Sequence, residues 1–407
     1  MSNIFKNTQL AVSNTIASLV DSSMFIGTLD KQYDSKFANK SAQIGNSIDI
    51  KKPFVPTTAL GRVATAQDYV ETYTTLTLSS QRHALIPFTS VEETLNLEEF
   101  RKAVAEPVGF QMSSDIEEDA YDALMPSIGN LVIATGDAGG GVGTGLKNID
   151  VINAGVKLTR GTTPTANRML LVDPADEGFY INENRNQFNN QAEISKQYVD
   201  SYVGHANGFM WGRSNRLPTI TTPTDMAGTL SATYVSGATT MAVAGLGANE
   251  VIQAGQVFTV AGVNAVGPQT KRNLGYLFQF SVRETVTLSG TGTGTLTIEP
   301  AWGPLALGLQ NLSAIPTSGA VVTLAGTANT TYRQSITYVK QAFTMGTADL
   351  ALPTGGAVGA RDNMDGVSGR LIRGWDVAED KDLPRFDVLY GFRCLRPEYA
   401  CKIWVKQ

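Results

Sequence analysis

His83 and His205 are the only histidines in this 407-residue chain, so imidazole chemistry has two places to start. Neither has the partners it needs. A catalytic triad or a histidine-rich metal site requires further donors at workable spacing, and none stands beside either residue. His83 falls in an alternating stretch, which assigns it to a strand. Cys394 and Cys401 fit no metal-ligand spacing and are too few for a disulfide framework, so they read as buried or ordinary thiols. The run GDAGGGVGTGLK (Gly136–Lys147) invites a phosphate-loop reading. A Walker loop ends in Gly-Lys-Ser/Thr, but Gly145-Leu146-Lys147-Asn148 does not, and no Gly-x-Gly-x-x-Gly register fits. It reads as a loop. Asp115, Glu117, Glu118, Asp119 and Asp122 could attract a cation, but at helical spacing they read as a solvated, DNA-repelling face. Lys271-Arg272 is an isolated solvated pair. No catalytic, cofactor or metal site is assigned, and the histidine count and absent nucleophile motifs leave a hydrolase with an atypical site little for general-base work.

The composition points the same way. Hydrophobic residues are 42% of the chain, enough for a buried core. Charged residues are only 17%, below the ~25% of an ordinary soluble domain. With 32 basic and 37 acidic residues the formal charge is −5, which disfavours a general DNA binder. Between Met226 and Tyr332 only Glu250, Lys271, Arg272, Arg283, Glu284 and Glu299 are charged. Such a surface suits either a secreted-type β module or a face buried against copies of itself. No apolar run is long enough to span a membrane, and the N-terminus lacks the continuous apolar stretch of a secretory signal.

The elements that would position these residues follow in a definite order. Residues 1–45 read as an arm, with Leu10, Val12, Ile16, Leu19 and Val20 forming one short amphipathic helix. The arm has too few apolar residues for its own core and must lie against something else. Residues 46–90 read as a long two-stranded loop, outgoing over Ser47–Lys51 and returning over Tyr73–Phe88. Residues 91–146 hold the strongest helical signal: a helix from Pro107 to Met125, with Pro107 in its first turn, spanning ~28 Å. Met112, Ile116, Ala120 and Leu124 form its apolar face, and the strand Leu131–Ile133 follows. Residues 147–221 alternate helix and strand. Ile149, Ile152, Val156 and Leu158 suggest a helix; 169–172 and 208–211 suggest strands. Residues 222–333 change to short β-runs with glycine turns, the pattern of an inserted small barrel or sandwich. The mixed pattern resumes over 334–407.

That order resembles the major capsid proteins of tailed double-stranded DNA bacteriophages, which share the Hong Kong 97-like α+β fold. Within it the podophage P22 type, with its insertion domain, is the most similar. Ser127–Ile133 resembles the junction after the spine helix, Gly208–Trp211 with Leu217-Pro218 a strand of the axial domain, Gln256–Val263 the insertion domain's core strand, and Arg396-Pro397-Glu398 the closing segment. The resemblance implies an N-terminal arm, an extended loop, a peripheral domain with a spine helix, and an axial domain carrying the insertion. It also implies hexamers and pentamers on an icosahedral shell, a scaffolding protein during assembly, a portal at one vertex, and packaged DNA touched only non-specifically. The expected location is the virion, after assembly in the host cytoplasm. On this reading Leu10 and Ile16 of the arm, Arg62, Asp68 and Glu71 of the loop, and the insertion contact neighbouring copies. Some relatives cross-link through a loop lysine; this chain has none between Leu60 and Thr89, so non-covalent reinforcement is expected. The alternative is a β-rich tail or adhesin component, which leaves the arm and long helix unused.

Overall fold

A computed structural model describes residues 12–13, 15–17, 19, 24–31, 47–51, 60, 71, 73–89, 106–135, 145–184, 204–301, 303, 310–353 and 358–407. The chain divides into two units. The first takes Met1–Ile50, Tyr73–Ala120 and Phe343–Arg393; the second takes Lys51–Thr72, Tyr121–Ala342 and Cys394–Gln407. Strands are numbered along the chain.

In the first unit β1 (Ser47–Lys51) pairs with β2 (Tyr73–Thr77). Their period-two alternation turns Ile48, Ile50, Thr74 and Leu76 inward. The expected single return strand, Tyr73–Phe88, is broken. After β2 the chain changes partner, and β3 (Ser80–Leu85) and β4 (Phe88–Thr89) pair with β22 (Lys381–Cys394). Gly391 permits the crossing, since a Cβ there would lie 2.0 Å from Thr77 O. The rest of that sheet is β19 (Phe343–Thr347), β20 (Val358–Met364) and β21 (Val367–Asp376), in the order β19-β22-β21-β20.

The long helix, α2 (Glu106–Leu124), matches its expected span within a residue and carries Pro107 in its first turn. Met112, Ile116 and Ala120 are buried. Glu117 is buried as well, which corrects its assignment to a solvated face; its Oε1 accepts the Phe25 N–H at 3.3 Å.

The second unit is built on a mixed sheet ordered β5-β23-β18-β6-β8-β7, with β9 also on β18. These strands are β5 (Leu131–Ile133), β6 (Arg168–Val172), β7 (His205–Ala206), β8 (Phe209–Arg213), β9 (Thr219–Thr221), β18 (Thr331–Val339) and β23 (Ala400–Lys406). Helices α3 (Asn148–Arg160) and α4 (Pro174–Asn184) accompany it. The four residues that suggest the helix α3 do not share one buried face. At ~100° per residue Leu158 lies opposite Ile149, and packing follows Leu158. Val151, Ala154 and Leu158 join the core with Phe209 and Trp211, while Ile149, Ile152 and Val156 are exposed.

The expected inserted module is a closed barrel. Strands β10 (Ala227–Leu230), β11 (Thr240–Ala244), β16 (Gly294–Glu299), β14 (Asn273–Val282), β13 (Val257–Val266) and β17 (Val321–Leu324) join in that order, and β17 returns to β10. A short pair, β12 (Val251–Ile252) and β15 (Val286–Thr287), stands beside it. Alternate residues point inward around a core containing Met241, Phe258, Phe280, Leu296 and Val322. Phe258 and Phe280 are cross-strand partners with rings stacked at 5.4 Å.

Two segment assignments shift. The stretch 334–407 does not stay together: β18 and β23 lie in the second unit's sheet, while Phe343–Arg393 belongs to the first unit. Leu131–Ile133, grouped by sequence with the long helix, pairs in parallel with β23. Both shifts come from pairing between strands distant in sequence, which leaves no local pattern.

Candidate assembly elements

The first element is the root of the extended loop. Arg82 on β3 clamps Asp119 of α2 with both prongs, Nε to Oδ2 at 2.9 Å and Nη2 to Oδ1 at 2.7 Å. Tyr390 of β22 donates its hydroxyl to the same carboxylate. Burial would raise the Asp119 carboxyl, but the Arg82 and Tyr390 hydrogen bonds outweigh it and hold the group below its ordinary range. Burial, then the adjoining carboxylate, pushes the Tyr390 phenol up.

A second cluster lies along the same sheet. Asp387 is fully buried and accepts from Arg370 Nη2 at 2.7 Å, Arg385 Nε at 2.8 Å and Gln81 Nε2 at 3.2 Å. Burial again works to raise this carboxyl, and the two guanidinium hydrogen bonds bring it below the ordinary range. Three elements, β3, β21 and β22, are tied at one point by charge-assisted hydrogen bonds.

The arm proves to be part of its own chain's core. Val12, Ile16, Leu19, Phe25, Ile26 and Leu29 are all buried. Ile16 lies over Gly369, where an added Cβ would meet its side chain at 3.0 Å. Phe25 meets Phe343 edge-on at 6.2 Å. Asp30 bridges β19: its N–H donates to Phe343 O at 3.2 Å, and its carbonyl accepts from Met345 N–H at 3.0 Å. The surface expected to cover the arm is therefore this unit's sheet, and Ile16 packs within its own chain. Glu71 sits at the loop's return and pairs with Lys51. Leu10, Arg62 and Asp68 lie outside the described residues. Of the five expected contact residues the structure thus places two, Ile16 and Glu71.

The second unit holds the other element, the seam where the barrel meets the sheet. An apolar patch comes first: Val257 of β13 packs with Leu131, Ile220, Tyr332 and Trp404. Polar contacts surround it. Gln279 Oε1 accepts the Leu131 N–H at 2.9 Å and a hydrogen bond from Lys157 Nζ. Lys157 also donates to Leu131 O at 2.6 Å. Gln253 Oε1 accepts the Thr221 N–H at 2.9 Å. Arg160 lies over the Tyr276 ring at 5.2 Å. Arg283 donates to Ala123 O at 2.8 Å and to Ser127, so a barrel cation caps the carbonyl end of the long helix, where the helix dipole favours positive charge.

Lys402 is the most buried of these groups. Its Nζ donates to Gly255 O at 2.6 Å and to Ser281 Oγ at 3.4 Å. Burial pushes its ammonium down to about 7. Burial likewise lowers Lys157 and pushes the adjacent Cys401 thiol up to about 11. Gly129 fits the seam because a Cβ there would sit 2.5 Å from Gln279 O.

Sequence reading missed Gln279, Arg283, Lys157 and Lys402 as a group. Arg283 alone carried a signal, as one of six charges in a charge-poor stretch. His83 is exposed across from Asp387, His205 is exposed, and both cysteines are buried and outside any disulfide. Among the described residues no three potential ligands cluster to hold a metal, and no helix is long and apolar enough to cross a membrane.

Comparison with known proteins supplies the context for these elements. Residues 225–402 match the family model described as P22 coat protein, gene protein 5. No curated protein sequence matches the chain. Among solved structures, one from Mycobacterium phage Che8 is similar at 10% identity and TM-score 0.48, over 94% of this chain and 90% of that one. The capsid of Ralstonia phage GP4 is similar at 7% identity and TM-score 0.47, over 88% and 82%. The CUS-3 coat protein I-domain is 23% identical over 25% of this chain and 96% of its own, with TM-score 0.20. The matched stretch runs from the barrel's first strand into the closing strand of the sheet, and takes in Gln256–Val263 and Arg396-Pro397-Glu398 of the segments that carry the resemblance. Residues 225–402 are thus similar to the P22 coat protein family, the type that the order of the pieces resembles.

Proposed function

We propose that this protein is the major capsid protein of a tailed bacteriophage, and that it assembles as hexamers and pentamers into an icosahedral shell around double-stranded DNA. The observation that carries this reading is the coat-protein match over residues 225–402, which takes in the barrel and the strands that receive it. The rest of the molecule supports it. Only 17% of residues are charged, which suits surfaces buried between copies. The net charge of −5 suits a wall that encloses DNA without gripping it.

In this reading the extended loop, with Arg62, Asp68 and Glu71, reaches a neighbouring copy, as does Leu10 at the outer end of the arm. Ile16 is given instead to the chain's own core. A scaffolding protein guides assembly, a portal occupies one vertex, and DNA is met only non-specifically. The protein is made in the host cytoplasm and resides in the virion, with a structural rather than a catalytic role. Size-exclusion chromatography with light scattering, with and without a coexpressed scaffolding protein, tests this. Capsomers or closed particles support it. A species that stays monomeric at every concentration, or forms only filaments, contradicts it.

A further inference from the structure

The seam between barrel and sheet holds an unusual group. Lys402 is fully buried, and its amine faces only neutral acceptors: the Gly255 carbonyl at 2.6 Å and the Ser281 hydroxyl at 3.4 Å. No carboxylate hydrogen-bonds to it. On its own strand the neighbouring ionisable group is Cys401, held as a neutral thiol by burial. From α3 comes Lys157, itself buried and committed to Leu131 O and Gln279, with Arg160 behind it over Tyr276. From the barrel come Arg283 and Glu299, 3.8 Å apart, with Glu299 the cross-strand partner of Ser281; Arg283 is further spent on Ala123 and Ser127. The Trp404 ring lies 5.9 Å from the Lys402 amine. A buried ammonium without a counter-charge is costly, whereas a neutral amine can still donate to both acceptors.

We propose that the barrel is held on the sheet by a proton-coupled latch, in which seating Lys402 Nζ against Gly255 O and Ser281 Oγ releases that amine's extra proton to solvent. The step involves no covalent change: R–NH3+ in the open form becomes R–NH2 in the seated form, and water takes the proton.

The sign follows from linkage. The open form exposes Lys402 at its ordinary value of 10.5, and burial holds the seated form at about 7. Between these values the open form binds one more proton, so seating strengthens as pH rises, by up to tenfold per pH unit for one proton. Below about 7 both forms are protonated and the dependence levels off. Raising pH from neutral therefore tightens the barrel on the sheet.

Native-state hydrogen exchange of the full-length protein between pH 7.5 and 9.5 tests the latch. The reporters are the Leu131 and Thr221 amides, whose acceptors Gln279 and Gln253 sit across the seam. The references are amides inside the barrel ladder, such as that of Phe258. Intrinsic exchange speeds up about tenfold per pH unit while latch opening falls about tenfold, so the reporter rates stay nearly flat. The reference rates rise about tenfold per unit. Lys402→Met removes the titration, and its reporters should rise with the references. Wild-type reporters that climb more than about threefold per unit overturn the latch. Flat reporters in both wild type and Lys402→Met overturn it as well, because another group would then carry the proton. If the variant does not fold, the wild-type comparison decides alone.

Discussion

Asp387 in the first unit and Lys402 in the second are both fully buried ionisable groups, yet their surroundings have little in common. Asp387 is met by two guanidinium groups and an amide, so its charge is matched where it lies. Lys402 is met by a carbonyl and a hydroxyl, so its charge is unmatched and its proton is weakly held. The first arrangement ties β3, β21 and β22 at one point. The second joins a module with its own closed core to the sheet that carries it. Charge pairing makes a permanent tie, and neutral donors make one that solvent conditions can adjust.

The comparison breaks most visibly at Asp387. Asp387→Ala leaves Arg370 and Arg385 facing an empty acceptor, and removing one partner of a buried pair costs about 3–5 kcal/mol. Urea unfolding followed by hydrogen exchange should show the loss in β3, β21 and β22, with the barrel unaffected. A uniform loss across both units would mean that they do not separate energetically.

The seam counterpart is Gly129→Ala. Its new Cβ meets Gln279 O at 2.5 Å, and overpacking of this kind costs about 1–3 kcal/mol. Limited proteolysis should find the barrel's connections more open while its Phe258–Phe280 core stays folded. Unchanged cleavage would show that the seam adapts.

Acid sharpens the contrast. Asp119 and Asp387 sit below the ordinary 3.8 in the folded state, so their contribution is present above that value and is lost as pH falls through the folded values. The first unit should lose stability below pH 3.8, in a range where Lys402 no longer titrates. Thermal unfolding across pH 2.5–6, read separately in each unit by hydrogen exchange, checks this; loss confined to the second unit would reverse the assignment. The smallest effect is expected for Lys51→Ala. Its pair with Glu71 is exposed, and such pairs are worth about 0–1 kcal/mol. Stability should barely change, while assembly becomes the informative readout if Glu71 touches a neighbour.

Elements governed by local pattern were legible in the sequence. Pro107 and the Met112–Ile116–Ala120 spacing located the long helix, and alternation between glycine turns located the barrel. What stayed hidden depended on partners distant in sequence. Glu117 looked solvated because its acceptor role is to the backbone of Phe25, 92 positions away. Lys402 is a single cation in an otherwise apolar strand segment, and its burial shows only when Ser281 of β14 and Gly255 are laid over it. The arm looked incomplete because the sheet that covers it is made more than 300 residues later, at Phe343 and Gly369. That last finding gives the described arm helix a place in its own chain's core.

A reconstruction of the purified particles by electron cryomicroscopy tests the coat-protein account most directly. The account predicts closed icosahedral shells of fivefold and sixfold capsomers, with one discrete barrel per subunit for residues 227–324 and the loop between Lys51 and Tyr73 lying on an adjacent subunit. Particles that never close, or a loop that contacts only its own chain, would contradict it.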